Sequence, residues 1–131
     1  ANNVRCRGVM SQRDLAARMA QAAICAHPAR YEPFGLVPLE AALSGCSLVL
    51  GDTDSLREIW GDAALYVDPD EPASLVDALD RLIGSKALQR RLARRARARA
   101  LRLTARRMAE AYLRIYGEML RPQPTGLGAL A

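Results

Sequence analysis

The chain has 131 residues, of which half are apolar and a quarter are charged, and its formal net charge is +5. This length fits one domain that can bury a core. No apolar run approaches the ~20 residues that span a bilayer, and no secretory signal precedes the first predicted strand, so nothing indicates export. The three cysteines lack metal-ligand spacing and are expected to be buried free thiols, which weakly favours a reducing, cytoplasmic location.

Four short apolar runs bounded by turn signals predict strands. These are residues 4–7, 24–26, 48–50 and 65–67. Helical patterns alternate with them, and this alternation predicts a parallel sheet with helices on both faces. The fold class is therefore α/β and Rossmann-like.

Helix starts are marked by capping residues or by proline. The markers, in chain order, are Ser11, Pro38, Ser55 with Glu58 as a capping box, Pro72, Ser85 and Thr104. The first helix is predicted over 12–22, and Ser44-Gly45 and Gly84 are stop signals for the second and fourth. We expect one domain over residues 1–121 and a mobile tail over 122–131, which contains Pro and Gly.

The most informative segment is residues 31–45. Two carboxylates, Glu32 and Glu40, stand eight residues apart, the first in a loop and the second about one turn inside a short apolar helix. The backbone N–H groups of Phe34, Gly35, Leu36 and Val37 are expected to lack intrahelical partners, and together with the helix dipole they favour an anion. Carboxylates also accept hydrogen bonds from hydroxyls, so the segment suits a ligand with both phosphate and hydroxyl groups, such as a nucleotide-sugar.

Residues 31–45 resemble the E-x7-E motif of retaining GT-B glycosyltransferases, in particular the family-4 (group 1) type. Residues 3–11, 24–28, 55–59 and 61–69 are also similar to that family, so the resemblance covers roughly residues 4–116. It implies that the chain is a truncated, C-terminal half of the donor-binding domain. The acceptor domain and the Gly-rich turn and Arg/Lys pair that grip the diphosphate would then be absent, and we expect the chain alone to be inactive.

The resemblance also implies site roles. Glu32 would bond the donor-sugar hydroxyls as the catalytic-site carboxylate, and Glu40 would bond the ribose. Main-chain groups would complete the donor site: Val9, Met10 and Ser11 at the base, and Phe34, Gly35, Leu36 and Val37 at the sugar and phosphate. The simpler interpretations are a solvated carboxylate for Glu32, a helix-dipole contact for Glu40 and an N-cap for Ser11.

No cofactor or metal is expected besides the nucleoside-diphosphate-sugar substrate. His27 is the lone histidine and has no second ligand at metal spacing, so packing or hydrogen bonding is its default role. The implied reaction moves a hexose to an acceptor hydroxyl on an unknown glycan or lipid-linked sugar. Residues 62–69 are similar to bacterial mannosyl- and rhamnosyl-type enzymes of surface polysaccharide synthesis. The alternatives are a non-catalytic nucleotide-sugar-binding or interaction module and a membrane adaptor built on a basic helix.

Residues 86–107, from Lys86 to Arg107, contain ten basic residues and no acidic one. An apolar stripe runs along them, formed by Leu88, Leu92, Ala96, Ala100 and Leu103. A solvated helix face is the favoured interpretation. Attraction to an anionic membrane surface is the second, which would place the protein peripherally at the inner face of the membrane. Nucleic acid is not expected as a partner, because interleaved aromatics and recognition motifs are lacking.

The truncation predicts an exposed sheet edge. If the four strands are numbers 3 to 6 of the order 3-2-1-4-5-6, the two central strands are missing. The strand at 24–26 would then present unpaired backbone groups, so we expect a homodimer of the chain. The alternative is local repair, in which residues 4–7 pair with 24–26 and the monomer persists.

Overall fold

A computed structural model of the chain describes residues 3–121 in two compact units, one ending at Leu101 and the other beginning at Arg102. The first unit is an α/β layer structure. The second contains one helix, α6 (Ala105–Met119). The predicted mobile tail, residues 122–131, lies outside the described residues.

Three parallel strands form the sheet of the first unit, in the order β1-β2-β3. They are β1 (Ile24–His27), β2 (Ser47–Gly51) and β3 (Ala64–Val67). Every residue of β2 is buried, as expected for a central parallel strand covered on both faces. The register places Cys25 beside Leu48 and Val49 beside Leu65. The predicted α/β, Rossmann-like class is confirmed.

The predicted strand at residues 4–7 is wrong. These residues are irregular, and the Val4 side chain is exposed. A strand is held by its ladder of hydrogen bonds to a neighbour, and in the described part of the chain no strand lies beside this segment. The sheet therefore begins at β1, and the local repair considered above does not occur in this structure.

The helices begin close to where the sequence predicts, but the capping residue of α3 differs from the predicted one. The remaining helices are α1 (Gln12–Met19), α2 (Leu36–Leu43), α3 (Asp54–Trp60), α4 (Pro72–Gly84) and α5 (Lys86–Ala100), with a 3₁₀ turn at Gly61–Ala63. The Ser11, Ser85 and Thr104 hydroxyls each accept the expected capping bond. For α3, however, the cap is Thr53, which accepts from the Leu56 N–H, and the proposed capping role of Ser55 is wrong.

Helices cover both faces of the sheet, as predicted. One face packs against α2, α3 and the second half of α5, around the fully buried Trp60. The other packs against α4 and the first half of α5, around Leu82 and Leu92. Each fully buried side chain of this size contributes roughly 1.5–3 kcal/mol. The two layers hold the ends of the strands, and the loops that follow them, in fixed positions.

Candidate functional site

The loop that carries Glu32 connects β1 to α2 at the carboxyl edge of the parallel strands, where open α/β sheets bind their ligands. Gly35 precedes α2 and has a positive φ of 86°, a conformation that glycine adopts without strain. The helix starts at Leu36 and has Pro38 in its first turn, as the sequence predicts. The loop therefore turns sharply and aims Glu32 at the N-terminus of α2.

The Glu32 carboxylate bonds at both oxygens. Its Oε1 atom accepts from the Gly35 N–H at 2.8 Å and from the Phe34 N–H at 3.4 Å. Its Oε2 atom lies 3.2 Å from Nε2 of His27. Two of the N–H groups that we expected to be open to an anion are therefore taken by Glu32 itself. Among the described residues, no partner is present for the N–H groups of Leu36 and Val37, which remain available.

These contacts favour the charged form of Glu32. Desolvation works in the opposite direction and tends to raise its pKa. The hydrogen bonds from the Phe34 N–H, from His27 and from the Gly35 N–H outweigh it, so the pKa of Glu32 lies below its ordinary value. The carboxylate is therefore ionised at neutral pH and can accept hydrogen bonds from hydroxyl groups.

The main chain of the same loop is held from a second side. The Ser55 Oγ atom, on the first turn of α3, donates to the Glu32 carbonyl oxygen at 2.6 Å. The Thr53 hydroxyl lies 3.3 Å from that of Ser55. At the end of β2, a Cβ on Gly51 would lie 2.1 Å from the Ala29 carbonyl oxygen, so the loop passes directly against the strand.

Glu40 lies on the exposed side of α2. The buried side of this helix is formed by Pro38, Ala41 and Ala42, and Glu40 points away from it. Its side chain lines a groove of about 440 Å³ between α1 and α2. The other lining residues are Gln12, Arg13, Ala16, Met19, Leu43 and Ser44. No contact joins Glu40 to Glu32 among the described residues.

The loop before α1 presents an open surface. Val9 is fully exposed and Met10 is partly buried beside a second groove, of about 420 Å³, along α1. The Ser11 side chain is engaged as the N-cap of α1 and also donates to the Asp14 carboxylate at 2.8 Å. The N-cap interpretation of Ser11 is therefore confirmed. A main-chain contact of these residues with a nucleotide base stays a prediction.

A third groove, of about 400 Å³, opens at the carboxyl ends of β2 and β3. Two of its carboxylates pair with arginines: Arg30 lies 2.5 Å from Asp70, and Arg57 binds Asp52. The side-chain bond from Arg57 holds the pKa of Asp52 below its ordinary value. Arg57 also stacks on the Tyr66 ring at 4.3 Å. These ion pairs link residues that follow the strand ends, beside the Glu32 loop.

The surroundings of Cys25 and Cys46 favour the unreactive thiol form. Burial raises the pKa of Cys25 to about 11, and the Cys46 thiol donates to the Met19 carbonyl oxygen at 3.3 Å. Both are buried or half-buried, as predicted, whereas Cys6 is exposed because its segment does not join the sheet. Over residues 3–121, no group of three or more His, Cys, Asp or Glu side chains is placed to hold a metal ion. No helix in this range is long and apolar enough to cross a membrane.

The basic segment, residues 86–107, has an apolar stripe that is largely buried and basic side chains of two kinds, paired and exposed. Leu92, Ala96 and Ala100 are buried, as the apolar stripe predicts, and Leu103 lies beyond the end of α5. Three arginines have partners within the first unit: Arg97 donates to the Leu43 carbonyl oxygen at 2.7 Å, and Arg95 and Arg99 pair with Asp62 at 3.0 and 3.2 Å. The basic residues of α5 outside these contacts are all exposed; they are Lys86, Arg90, Arg91 and Arg94.

Three residues of the site were not identified from the sequence. His27 was assigned only a general packing or hydrogen-bonding role, Ser55 was assigned to a capping box, and Gly51 was not singled out. The sequence could have indicated a site role for His27, because it directly follows a predicted strand, and ligands bind at the carboxyl ends of parallel strands. For Ser55 and Gly51, the contacts join segments that are far apart in the sequence, so no local pattern indicates them.

Comparison with known proteins identifies the chain at the level of family. A family model described as "Glycosyl transferases group 1" matches residues 1–99. The chain belongs to this family. The resemblance to the group 1 glycosyltransferases is therefore confirmed, and the three-stranded sheet corresponds to part of a GT-B glycosyltransferase sheet.

Several named proteins are similar to this group 1 chain. It is 33% identical over 124 residues to a glycogen synthase of Mycobacterium tuberculosis, which covers 89% of this chain and 30% of the relative. It is 34% identical over 116 residues to a D-inositol 3-phosphate glycosyltransferase of a Nocardioides species, covering 84% and 25%. Among solved structures, sucrose-phosphate synthase from Thermosynechococcus elongatus has a TM-score of 0.72 and 27% identity, covering 86% of this chain and 30% of that one.

This glycosyl transferase chain therefore spans about a third or less of the length of the relatives it matches. The range of the family model, residues 1–99, contains the sheet, the Glu32 loop, α1 to α4 and nearly all of α5.

Proposed function

We propose that the chain binds the nucleoside-diphosphate-sugar donor of a retaining glycosyltransferase. One observation carries the proposal: the ionised Glu32 carboxylate is fixed at the N-terminus of α2, at the carboxyl edge of a parallel sheet. A carboxylate in this position can accept hydrogen bonds from sugar hydroxyls. The helix start beside it favours the negative charge of a phosphate.

Each part of the donor has a matching surface. The N–H groups of Leu36 and Val37, two exposed residues at the start of α2, would donate to the diphosphate. Those of Phe34 and Gly35 would hold the Glu32 carboxylate toward the sugar. Glu40, exposed in its groove beside α1, would accept from the ribose hydroxyls. The open main chain of Val9, Met10 and Ser11 would meet the base. The eight-residue spacing of the E-x7-E motif thus separates the sugar end of the donor from the ribose end.

The proposed reaction transfers a hexose to an acceptor hydroxyl. Its rate would rest on positioning and on stabilising the departing diphosphate, and the α2 N-terminus supplies part of that stabilisation. We expect no covalent intermediate at Glu32. The names of the relatives include glycogen synthase and two mannosyltransferases, which supports a role in polysaccharide synthesis, including that of bacterial surface polysaccharides. We expect no turnover by this chain alone.

Isothermal titration of the chain tests donor binding. The probes are UDP-glucose, ADP-glucose and GDP-mannose, each compared with its nucleoside diphosphate. We expect one nucleotide-sugar to bind more tightly than the matching diphosphate, and Glu32→Gln to remove that preference. Glu118→Gln, a surface carboxylate of α6, is the matched control. If no probe binds at millimolar concentration, the donor-binding proposal is wrong and a non-catalytic interaction module becomes the better interpretation.

Two further proposals concern partners of the chain. The exposed side chains of Lys86, Arg90, Arg91 and Arg94 support peripheral attraction to an anionic membrane surface. The open edge of β1, which pairs only with β2 in the described part of the chain, supports self-association. The cytoplasmic location expected from the sequence stays a prediction.

A further inference from the structure

The Glu32 loop makes two contacts that are not part of the E-x7-E motif. Its side chain contacts His27, the last residue of β1, and its main chain contacts Ser55, in the first turn of α3. The two contacts approach from different elements. They fix the carboxylate and the peptide of the same residue.

We propose that His27 and Ser55 are positioning residues for the donor sugar, which act through Glu32. The proposal rests on the proposed function, in which Glu32 receives the sugar hydroxyls. Neither residue needs to touch the donor. Their effect is to keep the carboxylate in one orientation before the sugar arrives, so that binding does not have to order it.

The geometry at His27 supports this role. The side chains of His27 and Glu32 are about a quarter exposed, at 26% and 25%, so their contact is partly shielded from water. A neutral imidazole protonated at Nε2 is sufficient to donate to Oε2. With Oε1 accepting from Gly35 and Phe34, the carboxylate is bound on two sides. Three of its about four acceptor sites are used, which leaves one, on Oε2, for a sugar hydroxyl.

The geometry at Ser55 adds a second constraint. A bond of 2.6 Å to the Glu32 carbonyl oxygen fixes the peptide that precedes the turn into α2. Ser55 is itself placed by the start of α3, where the Thr53 hydroxyl caps the helix. The loop therefore cannot rotate about Glu32 without breaking a bond to α3.

Paired substitutions distinguish positioning from general stability. His27→Phe keeps the shape of the ring but removes the donor, whereas His27→Gln keeps an N–H near the position of Nε2. Ser55→Ala removes the hydroxyl, whereas Ser55→Thr keeps it. Two quantities are measured for each variant: the pKa of the Glu32 carboxyl by carbon-13 NMR titration, and the ratio of the dissociation constants of UDP and UDP-glucose, or of the pair that the wild type prefers.

The sugar-dependent gain in affinity is the ratio of the dissociation constant of the nucleoside diphosphate to that of its nucleotide-sugar. We expect His27→Phe to raise the pKa of Glu32 toward its ordinary value. It should also lower the sugar-dependent gain by about tenfold, the value of one charge-assisted hydrogen bond. His27→Gln should keep the pKa of Glu32 lowered and should restore the sugar-dependent gain in affinity to within about twofold of the wild type. Ser55→Ala should lower the sugar-dependent gain without changing the affinity for the nucleoside diphosphate, and Ser55→Thr should not.

The inference and the proposed function fail in different ways. If the wild type prefers a nucleotide-sugar but His27→Phe and Ser55→Ala leave that preference intact, the positioning roles are wrong and donor binding stands. If the wild type binds no nucleotide-sugar, donor binding is wrong, and the Glu32 titration still decides whether His27 holds the carboxylate. If His27→Phe and His27→Gln both fail to fold, as circular dichroism would show, His27 is a structural residue and the proposal is overturned.

Discussion

Gly51 and Ala29 approach so closely that only glycine fits at the end of β2. A Cβ built on Gly51 would lie 2.1 Å from the carbonyl oxygen and 2.9 Å from the nitrogen of Ala29. Both obstacles are backbone atoms, which cannot move aside as the end of a flexible side chain can. The loop that leads to Glu32 is therefore seated directly on the central strand.

Gly51→Ala should displace this loop and destabilise the fold. We expect a loss of roughly 1–3 kcal/mol in the free energy of unfolding, as for other overpacked sites, measured by urea denaturation. Gly84→Ala is the matched control, because nothing lies within 4 Å of its Cβ position. Since alanine is a better helix former than glycine, the control should be neutral or more stable by up to ~1 kcal/mol. Equal stability of Gly51→Ala and the wild type would contradict the close contact.

Glu32 should make the stability of the chain depend on pH. Its pKa is lowered in the folded state from an ordinary value of 4.5. A lowered pKa adds stability that is fully present above the unfolded-state value and is lost as the pH falls through the folded-state value. The melting temperature of the wild type should therefore fall relative to that of Glu32→Gln as the pH decreases below about 4.5. A constant difference between the two proteins from pH 7 to pH 3 would argue against the bonds to Phe34, Gly35 and His27.

The two carboxylates of the motif should affect different kinetic constants in a complete enzyme that contains this chain. Glu32→Gln should lower turnover at least ~10²-fold, about 2.7 kcal/mol of transition-state stabilisation. Glu40→Gln should act mainly on donor affinity, because Glu40 lies in the α1–α2 groove and not beside Glu32. Steady-state kinetics with varied donor separate the two effects. Near-wild-type turnover by Glu32→Gln, or an unchanged donor affinity in Glu40→Gln, would remove the respective role.

The exposed basic residues of α5 should bind anionic vesicles if the membrane proposal is right. A basic side chain near such a surface contributes about 1 kcal/mol, so replacing Lys86, Arg90, Arg91 and Arg94 by glutamine should abolish cosedimentation with vesicles rich in phosphatidylserine. Binding by the wild type should weaken as salt is raised. Arg95→Gln is the control, because Arg95 is paired with Asp62. Binding that survives the fourfold replacement would rule out this surface.

The open edge of β1 should lead the chain to self-associate, most simply as a dimer. Unpaired N–H and C=O groups on a strand are a template for a second copy. Sedimentation velocity over a concentration series should show a rising mean mass, and Ala26→Lys, at an exposed position of β1, should reduce it. A monomer at every concentration, with a melting temperature independent of concentration, would show that the edge is not a docking surface.

Local chemistry in the sequence determined much of the described structure. The capping hydroxyls of Ser11, Ser85 and Thr104, the Gly35 turn and the alternation of apolar runs with helical patterns each act over a few residues. They therefore predict the helix starts, the three strands and the position of Glu32 before α2 without knowledge of distant contacts. The family was identified from the same local segments.

Tertiary structure decided what depends on neighbours that are distant in the sequence. Residues 4–7 have strand composition, but no described strand pairs with them, and a strand exists only through its pairing. Glu40 is exposed because the packing of α2 on the sheet buries its opposite face. The contacts of Glu32 with Ser55 and of Ala29 with Gly51 each cross from one element to another. Their positions are set by the stacking of layers, which no local pattern encodes.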